Sequence, residues 1–208
     1  MIYNTQCQPF PEAGILAENM NRDLPTLRQM LRTEDGSLYA YIVDTIQYDG
    51  NIFCQTGSGP NFQGDVITLC SCKHQMRSGL SVGEWPGVWI AGFTGVGKVG
   101  GEPLNYLVYL MKVANAYASH RDLWGKLPVV ARRVKAAHLH PLGDLYQPNA
   151  KGGGRFDPRS YEPPRSDHSH CHDNGWHTDI DYTGYGGRRP PLLEGDRRVE
   201  VAPDLAVL

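Results

Sequence analysis

The sequence predicts an α+β fold, in which a small mixed or antiparallel β-barrel is decorated with short helices and followed by a loop-rich C-terminal flap. Several short runs of aromatic and β-branched residues follow one another, separated by Gly, Pro or Ser, which is typical of small barrels. Few segments repeat apolar residues at helical spacing, so a sheet of alternating strands and helices is disfavoured. A chain of 208 residues has room for one domain and additional segments.

The composition of the chain changes twice, which predicts three parts. Residues 1–36 form an N-terminal extension with one short helix over 23–32, in which Asp23 is the N-cap and leucines recur at helical spacing. Residues 37–145 form the barrel core. Residues 146–208 are rich in Gly, Pro and His and form a flap that packs on the core.

The elements of the core follow from the spacing of its apolar residues. The predicted strands cover residues 38–43, 65–72, 87–93 and 105–113. A short helix is predicted over 114–124 with Ser119 as its cap, and a second helix over 128–138. Val199 and Val201 alternate with charged residues, which indicates a final strand in the flap.

Composition and charge restrict the class of protein. No run approaches the ~20 apolar residues that span a bilayer, and the first residues lack the pattern of a signal peptide, so we expect a cytoplasmic protein without a membrane partner. The five cysteines are odd in number and scattered, which is typical of reduced thiols. The net charge of −2 argues against coating nucleic acid by bulk electrostatics, although a local basic groove is compatible with it.

A glycine-rich segment, residues 92–98, fits the G-x4-G-K pattern of a phosphate-binding loop. Val99 stands where a Ser or Thr would hold magnesium, and the residues that follow cannot begin the helix that such a loop requires. We therefore interpret the segment as a hairpin between two strands. Its backbone amides and Lys98 are candidates for a weak anion site.

Histidines supply the candidate metal ligands. On an extended strand His168, His170 and His172 share one face, as imidazoles that converge on zinc or a similar divalent ion do. His138 and His140 form a second alternating pair. The competing interpretation is that histidines in a Gly/Pro-rich segment are simply solvated.

A run of cysteine and basic residues ends the second predicted core strand. Cys70 and Cys72 point to one face of that strand, which favours packing in or beside the core over a nucleophilic role. Lys73 and Arg77 follow in a polar turn, which is a natural place to hold a phosphate. Trp85 belongs to an aromatic surplus that either packs in the core or forms a stacking surface for a base.

The order of pieces in residues 58–113 resembles the second of the nucleotide-modification-associated domain families, which occur in phages and bacteria near enzymes that alter DNA bases. The pieces that match are the runs 58–77, 82–85, 90–95 and 107–113, which contain a turn with Pro60, a strand with Cys70 and Cys72, a turn with Trp85, the glycine loop and a further strand. The chain departs from the family pattern at His74, Glu84 and Phe93. A looser resemblance extends over about residues 37–200.

The same order of pieces is similar to the PUA-like barrels of the EVE, ASCH and YTH families, whose pocket accepts a flipped or modified base. The resemblance implies a PUA-like barrel here, with a ligand pocket lined by strand ends and the glycine loop. The candidate ligand-binding residues are Cys70, Cys72, Lys73, Arg77, Trp85, Trp89, Thr94, Gly95, Lys98 and Tyr109.

Three functional hypotheses follow. The first is a module that binds a nucleotide or a modified base, alone or in nucleic acid, in association with DNA modification. The second is a metal-dependent hydrolase or transferase acting on a nucleotide, with the histidines above as ligands and Asp144 or Asp173 as general base. The third is a protein that sequesters a small nucleotide signal under its flap without chemistry.

Overall fold

The computed structural model describes residues 8–10, 29, 32, 36–48, 53–64, 66–99, 102–165 and 172–200. In chain order its strands are β1 (Gln8–Phe10), β2 (Leu38–Val43), β3 (Ile46–Tyr48), β4 (Phe53–Gln55), β5 (Ile67–Leu69), β6 (Trp89–Thr94), β7 (Gly97–Val99), β8 (Glu102–Leu104), β9 (Leu107–Tyr117) and β10 (Leu192–Glu200). The α-helices are α1 (His74–Arg77), α2 (His120–Lys126), α3 (Val129–Lys135) and α4 (Thr178–Asp181). Short 3-10 helices cover Pro158–Ser160, His172–His177 and Tyr185–Gly187.

Five strands form the main sheet, in the order β2-β6-β9-β10-β5. Only the pair β2 and β6 is parallel, and the other three pairs are antiparallel. A three-stranded sheet has the order β1-β4-β3, and β7 pairs with β8 in a hairpin. The glycine-rich segment 92–98 instead ends β6 and begins β7, which lie in different sheets, so the hairpin predicted there is wrong and the hairpin lies one strand later.

The α+β class is confirmed, but a closed barrel is not found. Among the described residues β2 and β5 are the two edges of the main sheet and do not pair with each other. The sheet does not close because β5 is only three residues long and because Thr68, its middle residue, already forms an isolated bridge to Asn61. The sheet is therefore open and mixed.

The core lies on β6 and β9 at the middle of this sheet. Trp85 and Trp89 are buried in it, and the indole N–H of Trp85 donates to the carbonyl of Arg77 at 2.9 Å. Tyr109 on β9 lies opposite Gly92 on β6, and a side chain on Gly92 would collide with the tyrosine ring. The tryptophans thus form part of the core, the first of the two roles considered for them.

The strand β9 is longer than predicted. It continues to Tyr117, where the sequence predicts a helix from residue 114, because its last residues pair with Leu192 and Leu193 of β10. The helix begins instead at His120, with the predicted Ser119 cap, whose hydroxyl accepts from the Asp122 N–H. The helix predicted over 128–138 is present as α3, but it ends at Lys135 because Ala136 is extended and forms a bridge to Leu145.

The C-terminal segment contributes a strand to the sheet. β10 lies between β9 and β5, so the final strand predicted near Val199 is confirmed, while Val201 lies outside the described residues. The helix predicted over 23–32 also lies outside them, apart from Gln29 and Arg32, which are helical.

The cysteines differ from one another. Cys70 and Cys72 are free thiols, whereas Cys54 is disulfide-bonded. The expectation that every cysteine is reduced is therefore wrong at Cys54.

Within the described part of the chain, none of the helices has the length and apolar character needed to cross a bilayer.

Candidate functional site

A cleft of about 350 Å³ opens beside the end of β2. Its walls come from three segments that are far apart in sequence: residues 41–45, 58–60 and 71–74. The first is the end of β2 with its turn, the second the loop before β5, and the third the connection from β5 to α1. Pockets for small ligands are typically of this size.

Aromatic rings stiffen the wall formed by β2. The hydroxyl groups of Tyr41 and Tyr109 are 2.6 Å apart, and Phe62 packs edge-on against Tyr109 with ring centres 5.3 Å apart. Burial, with the neighbouring Tyr109 as a smaller cause, raises the pKa of Tyr41 well above its usual value. The Tyr41 side chain that lines the cleft is therefore a neutral phenol held in one position by its contacts.

Lys73 is the cationic side chain of the cleft, and its backbone is unusual. It has φ 56° and ψ 41°, a left-handed conformation that costs a side-chain-bearing residue ~1–2 kcal/mol. Its ammonium nitrogen lies 5.2 Å from the centre of the Tyr41 ring, within cation–π range. Non-glycine residues in this conformation concentrate at functional sites.

Arg77 supports the same segment from inside the protein. Its guanidinium is fully buried and donates to the carbonyl oxygens of Cys70, Cys72 and Pro191, each at 2.7 Å. These three bonds tie the segment after β5 to the residue before β10. The predicted phosphate-holding role of Arg77 is replaced by this structural one, because the guanidinium is directed at backbone carbonyls and does not face the cleft.

Two hydroxyl groups in the lining have no hydrogen-bond partner among the described residues. They are Ser71 Oγ and Thr45 Oγ1, both buried atoms. Ser71 is buried completely. Because buried polar groups are nearly always paired, these hydroxyls mark a place where a ligand would complete the bonding.

Neither free thiol is activated. Burial raises the pKa of the Cys72 thiol to about 12, and the charge of Arg77 offsets this only in part. Burial and the Asp144 carboxyl also raise the pKa of Cys70. Both thiols are therefore protonated at neutral pH, which disfavours a cysteine nucleophile.

His74, in the lining of the cleft, lies against a buried carboxylate. Its Nε2 atom is 3.0 Å from Oδ1 of Asp179 on α4, whose side chain is completely buried. The imidazole also stacks on Tyr182, with ring centres 5.1 Å apart. The His74 side chain itself is 17% exposed and so remains accessible from solvent.

Further buried groups fix Asp179 in place. The Tyr146 hydroxyl donates to Oδ2 of Asp179 at 2.6 Å. His120 Nδ1 accepts from the Tyr146 N–H, which leaves its Nε2 to donate to the Asp179 carbonyl at 3.3 Å. Burial lowers the pKa of His120 to about 3, so its imidazole is neutral, with one nitrogen that donates and one that accepts. Asp179 is thus held through its side chain and its backbone.

The structure brings only two of the predicted ligand-binding residues into the cleft lining, Cys72 and Lys73. The residues that are buried outside this lining are Cys70, Arg77, Trp85, Trp89, Thr94 and Tyr109. Gly95 follows β6 and is half-buried, and Lys98 lies in β7, where its side chain is outside the described part of the structure. Sequence reasoning missed the other ten lining residues, among them Tyr41, Thr45, Ser58, Ser71 and His74, together with Asp179 behind them.

The predicted metal ligands do not form a described site. No group of three or more His, Cys, Asp or Glu side chains suited to a metal occurs within the described ranges. His140 contacts the carbonyl of Val134 through Nε2, and burial lowers the pKa of His138. His168 and His170, and the side chain of His172, lie outside the described residues.

The two candidate general bases are also placed differently. Asp144 is completely buried, and it accepts from the Thr68 hydroxyl at 3.0 Å and from the Cys70 N–H at 3.1 Å. It therefore ties α3 and its following turn to β5 and does not line the cleft. The side chain of Asp173 is not among the described ones.

Comparison with known proteins adds no relative: no family model, curated protein or solved structure matches the chain.

Proposed function

We propose that the protein binds a single nucleotide or modified base in the cleft beside β2. The observation that carries the proposal is the combination of a volume of about 350 Å³ with a lining that holds one ammonium, unpaired hydroxyls and an aromatic ring. Small-ligand sites combine apolar walls with a few fixed polar groups in this way.

The polar groups of the cleft suit the parts of a nucleotide. Lys73 provides the positive charge for a phosphate. Hydroxyl groups such as those of Ser71 and Thr45 can donate to or accept from a sugar or a base edge. Tyr41, Val43 and Pro60 supply the less polar wall against which a base would lie.

The charge of the lining favours a ligand with one phosphate. Lys73 is the one lysine of the described lining, Asp44 is its one carboxylic acid and His74 is its one imidazole. A triphosphate would bring several negative charges to a lining with a single ammonium, so a mononucleotide is the better match.

The sequence resemblance supports the same class of ligand. The segment that provides Ser71, Cys72 and Lys73 lies within the stretch that resembles the second nucleotide-modification-associated domain family. A PUA-like relationship and a role in DNA modification remain part of this proposal. An open mixed sheet is compatible with the proposal, since it requires only the cleft.

Replacement of Lys73 tests the proposal. The affinity is measured by calorimetric titration with 5′-mononucleotides of normal, 5-methylated and 5-hydroxymethylated bases. Lys73→Asn should raise the Kd of the tightest-binding nucleotide about tenfold or more. Asn tolerates the left-handed conformation, so the free energy of unfolding of the variant should stay within about 1 kcal/mol of the wild-type value.

The matched control is Lys151→Asn, which removes the same charge from an exposed loop position and should leave the affinity unchanged. If no mononucleotide binds more tightly than about 1 mM, or if Lys73→Asn binds as well as the original chain, the cleft is not the binding site.

The other hypotheses from the sequence give different results with the same protein. A metal-dependent enzyme purified without a His-tag would contain close to one equivalent of metal by elemental analysis. A sequestering protein would release its ligand unchanged after heat denaturation.

A further inference from the structure

We propose that the cleft also hydrolyses a phosphodiester of the bound nucleotide, with His74 as general base and Asp179 as the residue that orients it. This inference rests on the proposed nucleotide binding. It starts from the only described contact between a titratable side chain of the cleft and a completely buried carboxylate.

The orienting carboxylate is more tightly fixed than a simple surface ion pair requires. Asp179 is bound by the Tyr146 hydroxyl at its side chain and by His120 at its backbone, and both partners are buried. The other oxygen of its carboxylate, Oδ1, lies 3.0 Å from His74 Nε2. A buried group that holds one ring nitrogen fixes both the tautomer and the ring orientation of a catalytic histidine.

His74 Nε2 and Asp179 Oδ1 are close enough for a hydrogen bond, but their geometry does not satisfy the criteria for one. Catalytic hydrogen bonds are commonly misaligned before a ligand binds and tighten in its complex. Because Nε2 faces Asp179, the other ring nitrogen, Nδ1, is the atom left for a substrate or water.

The neighbouring groups indicate which nucleophile His74 would activate. The Cys72 thiol is held protonated by burial, and no described base accepts a hydrogen bond from the Ser71 hydroxyl. Water therefore remains as the nucleophile, since the cleft is open to solvent along the exposed part of His74. Lys73, next in the chain to His74, lies where it would neutralise charge on a phosphate.

The single ammonium also selects the substrate class. A phosphodiester carries one negative charge, whereas a phosphomonoester carries up to two at neutral pH and repels an attacking oxygen more strongly. One lysine therefore matches a diester, and a cyclic nucleotide is the diester that still fits as one nucleotide.

The reaction needs only water as co-reactant. A proton passes from water to His74 Nδ1 as the water oxygen forms a bond to phosphorus with its electron pair. The phosphorus–oxygen bond to the ribose breaks, and the leaving oxygen keeps that electron pair. The proton on His74 is then transferred to the leaving oxygen, which regenerates the neutral imidazole and yields a phosphomonoester.

The test uses the full chain of 208 residues and 2′,3′-cyclic AMP, with product followed by phosphorus NMR and binding by calorimetry. The original protein should form the monophosphate. His74→Gln should lower kcat about 100-fold or more, the usual worth of a general base, while its Kd for the cyclic nucleotide changes less than about threefold.

A second variant separates orientation from simple structural support. Asp179→Asn should lower kcat at least about tenfold with little change in KM, and should shift the nitrogen-15 NMR signals of the His74 ring, which report its tautomer. Lys151→Met is the control and should match the original protein in both readouts.

The outcomes are distinct. Cyclic nucleotide that binds but is not hydrolysed by the original protein overturns the catalytic inference and leaves the proposed binding function intact. Turnover that survives in His74→Gln overturns the role of His74. Absence of binding by every nucleotide removes both proposals together.

Discussion

At the residue scale, the buried charges of this protein support backbone segments. Arg77 and Asp144 both lie near the end of β5, and sequence reasoning assigned them to a ligand and to catalysis. The structure directs Arg77 at three carbonyl groups and Asp144 at Thr68 and the Cys70 N–H. Together they fix the strand end from which Ser71 to His74 enter the cleft.

Asp144 should make stability depend on pH. Burial raises its pKa to about 7 in the folded chain, against an ordinary 3.8, and the Lys135 ammonium offsets this only in part. The folded state therefore binds this proton more tightly than the unfolded state. The stability it contributes is complete below about pH 4 and is lost as the pH rises through about 7.

The measurement is urea denaturation of the original protein and of Asp144→Asn between about pH 4 and pH 8. As the pH rises across that range, the wild-type protein should lose on the order of a few kcal/mol more unfolding free energy than the variant. Asp181→Asn, which changes an exposed carboxylate, should keep the slope of the original. Parallel curves for the original and Asp144→Asn would show that the Asp144 proton is bound equally in both states.

At the element scale, the two glycines of the predicted loop have different roles. Gly92 is part of β6 and lies opposite Tyr109, whose ring occupies the space of a side chain. A Cβ at Gly92 would also lie 2.9 Å from Val43 Cγ2. Gly95 lies just beyond the strand, with nothing within 4 Å of an added Cβ.

Alanine at each position therefore provides a matched pair. Gly92→Ala should lower the free energy of unfolding by about 1–3 kcal/mol, because the added methyl group displaces Tyr109 and with it the contact between the Tyr109 and Tyr41 hydroxyl groups. Gly95→Ala should change it by less than about 0.5 kcal/mol. Urea denaturation of both variants checks this, and equal losses at the two positions would contradict the close packing of β6 on β9.

Local patterns located the elements, and distant pairing set their limits. The strand over 38–43 was predicted to the residue, because its alternation is contained in its own sequence. β9 exceeded its prediction because β10, far along the chain, extends the ladder to Tyr117. The same reasoning applies to the site. Cys72 and Lys73 were predicted within one run of sequence, whereas the contact of His74 with Asp179 joins elements whose relation no spacing rule contains.

At the scale of the whole molecule, the C-terminal strand completes the sheet that carries the cleft. β10 pairs on one side with β9 and on the other with β5, where Leu193 lies opposite Leu69. Arg77 adds a bond to Pro191, immediately before the strand. The segment of the cleft that follows β5 is therefore anchored on β10.

Truncation tests this dependence. A chain that ends at residue 191 lacks β10 and should lose cooperative thermal unfolding and nucleotide binding, because β5 then has no partner in the main sheet. A chain that ends at residue 200 keeps every strand of that sheet and should retain a cooperative transition by circular dichroism. A cooperative transition in the shorter chain would show that the sheet is stable without β10.

The position of β10 also determines when the protein can fold during its synthesis. β5 ends at Leu69 and its neighbour in the sheet begins at Leu192. At a translation rate of ~5–20 residues per second, the ribosome needs roughly 6 to 25 s to make the intervening chain. During that interval the strand waits without its partner, and its apolar residues are available to chaperones or to other nascent chains. Co-expression of a holding chaperone should therefore raise the soluble yield of this protein.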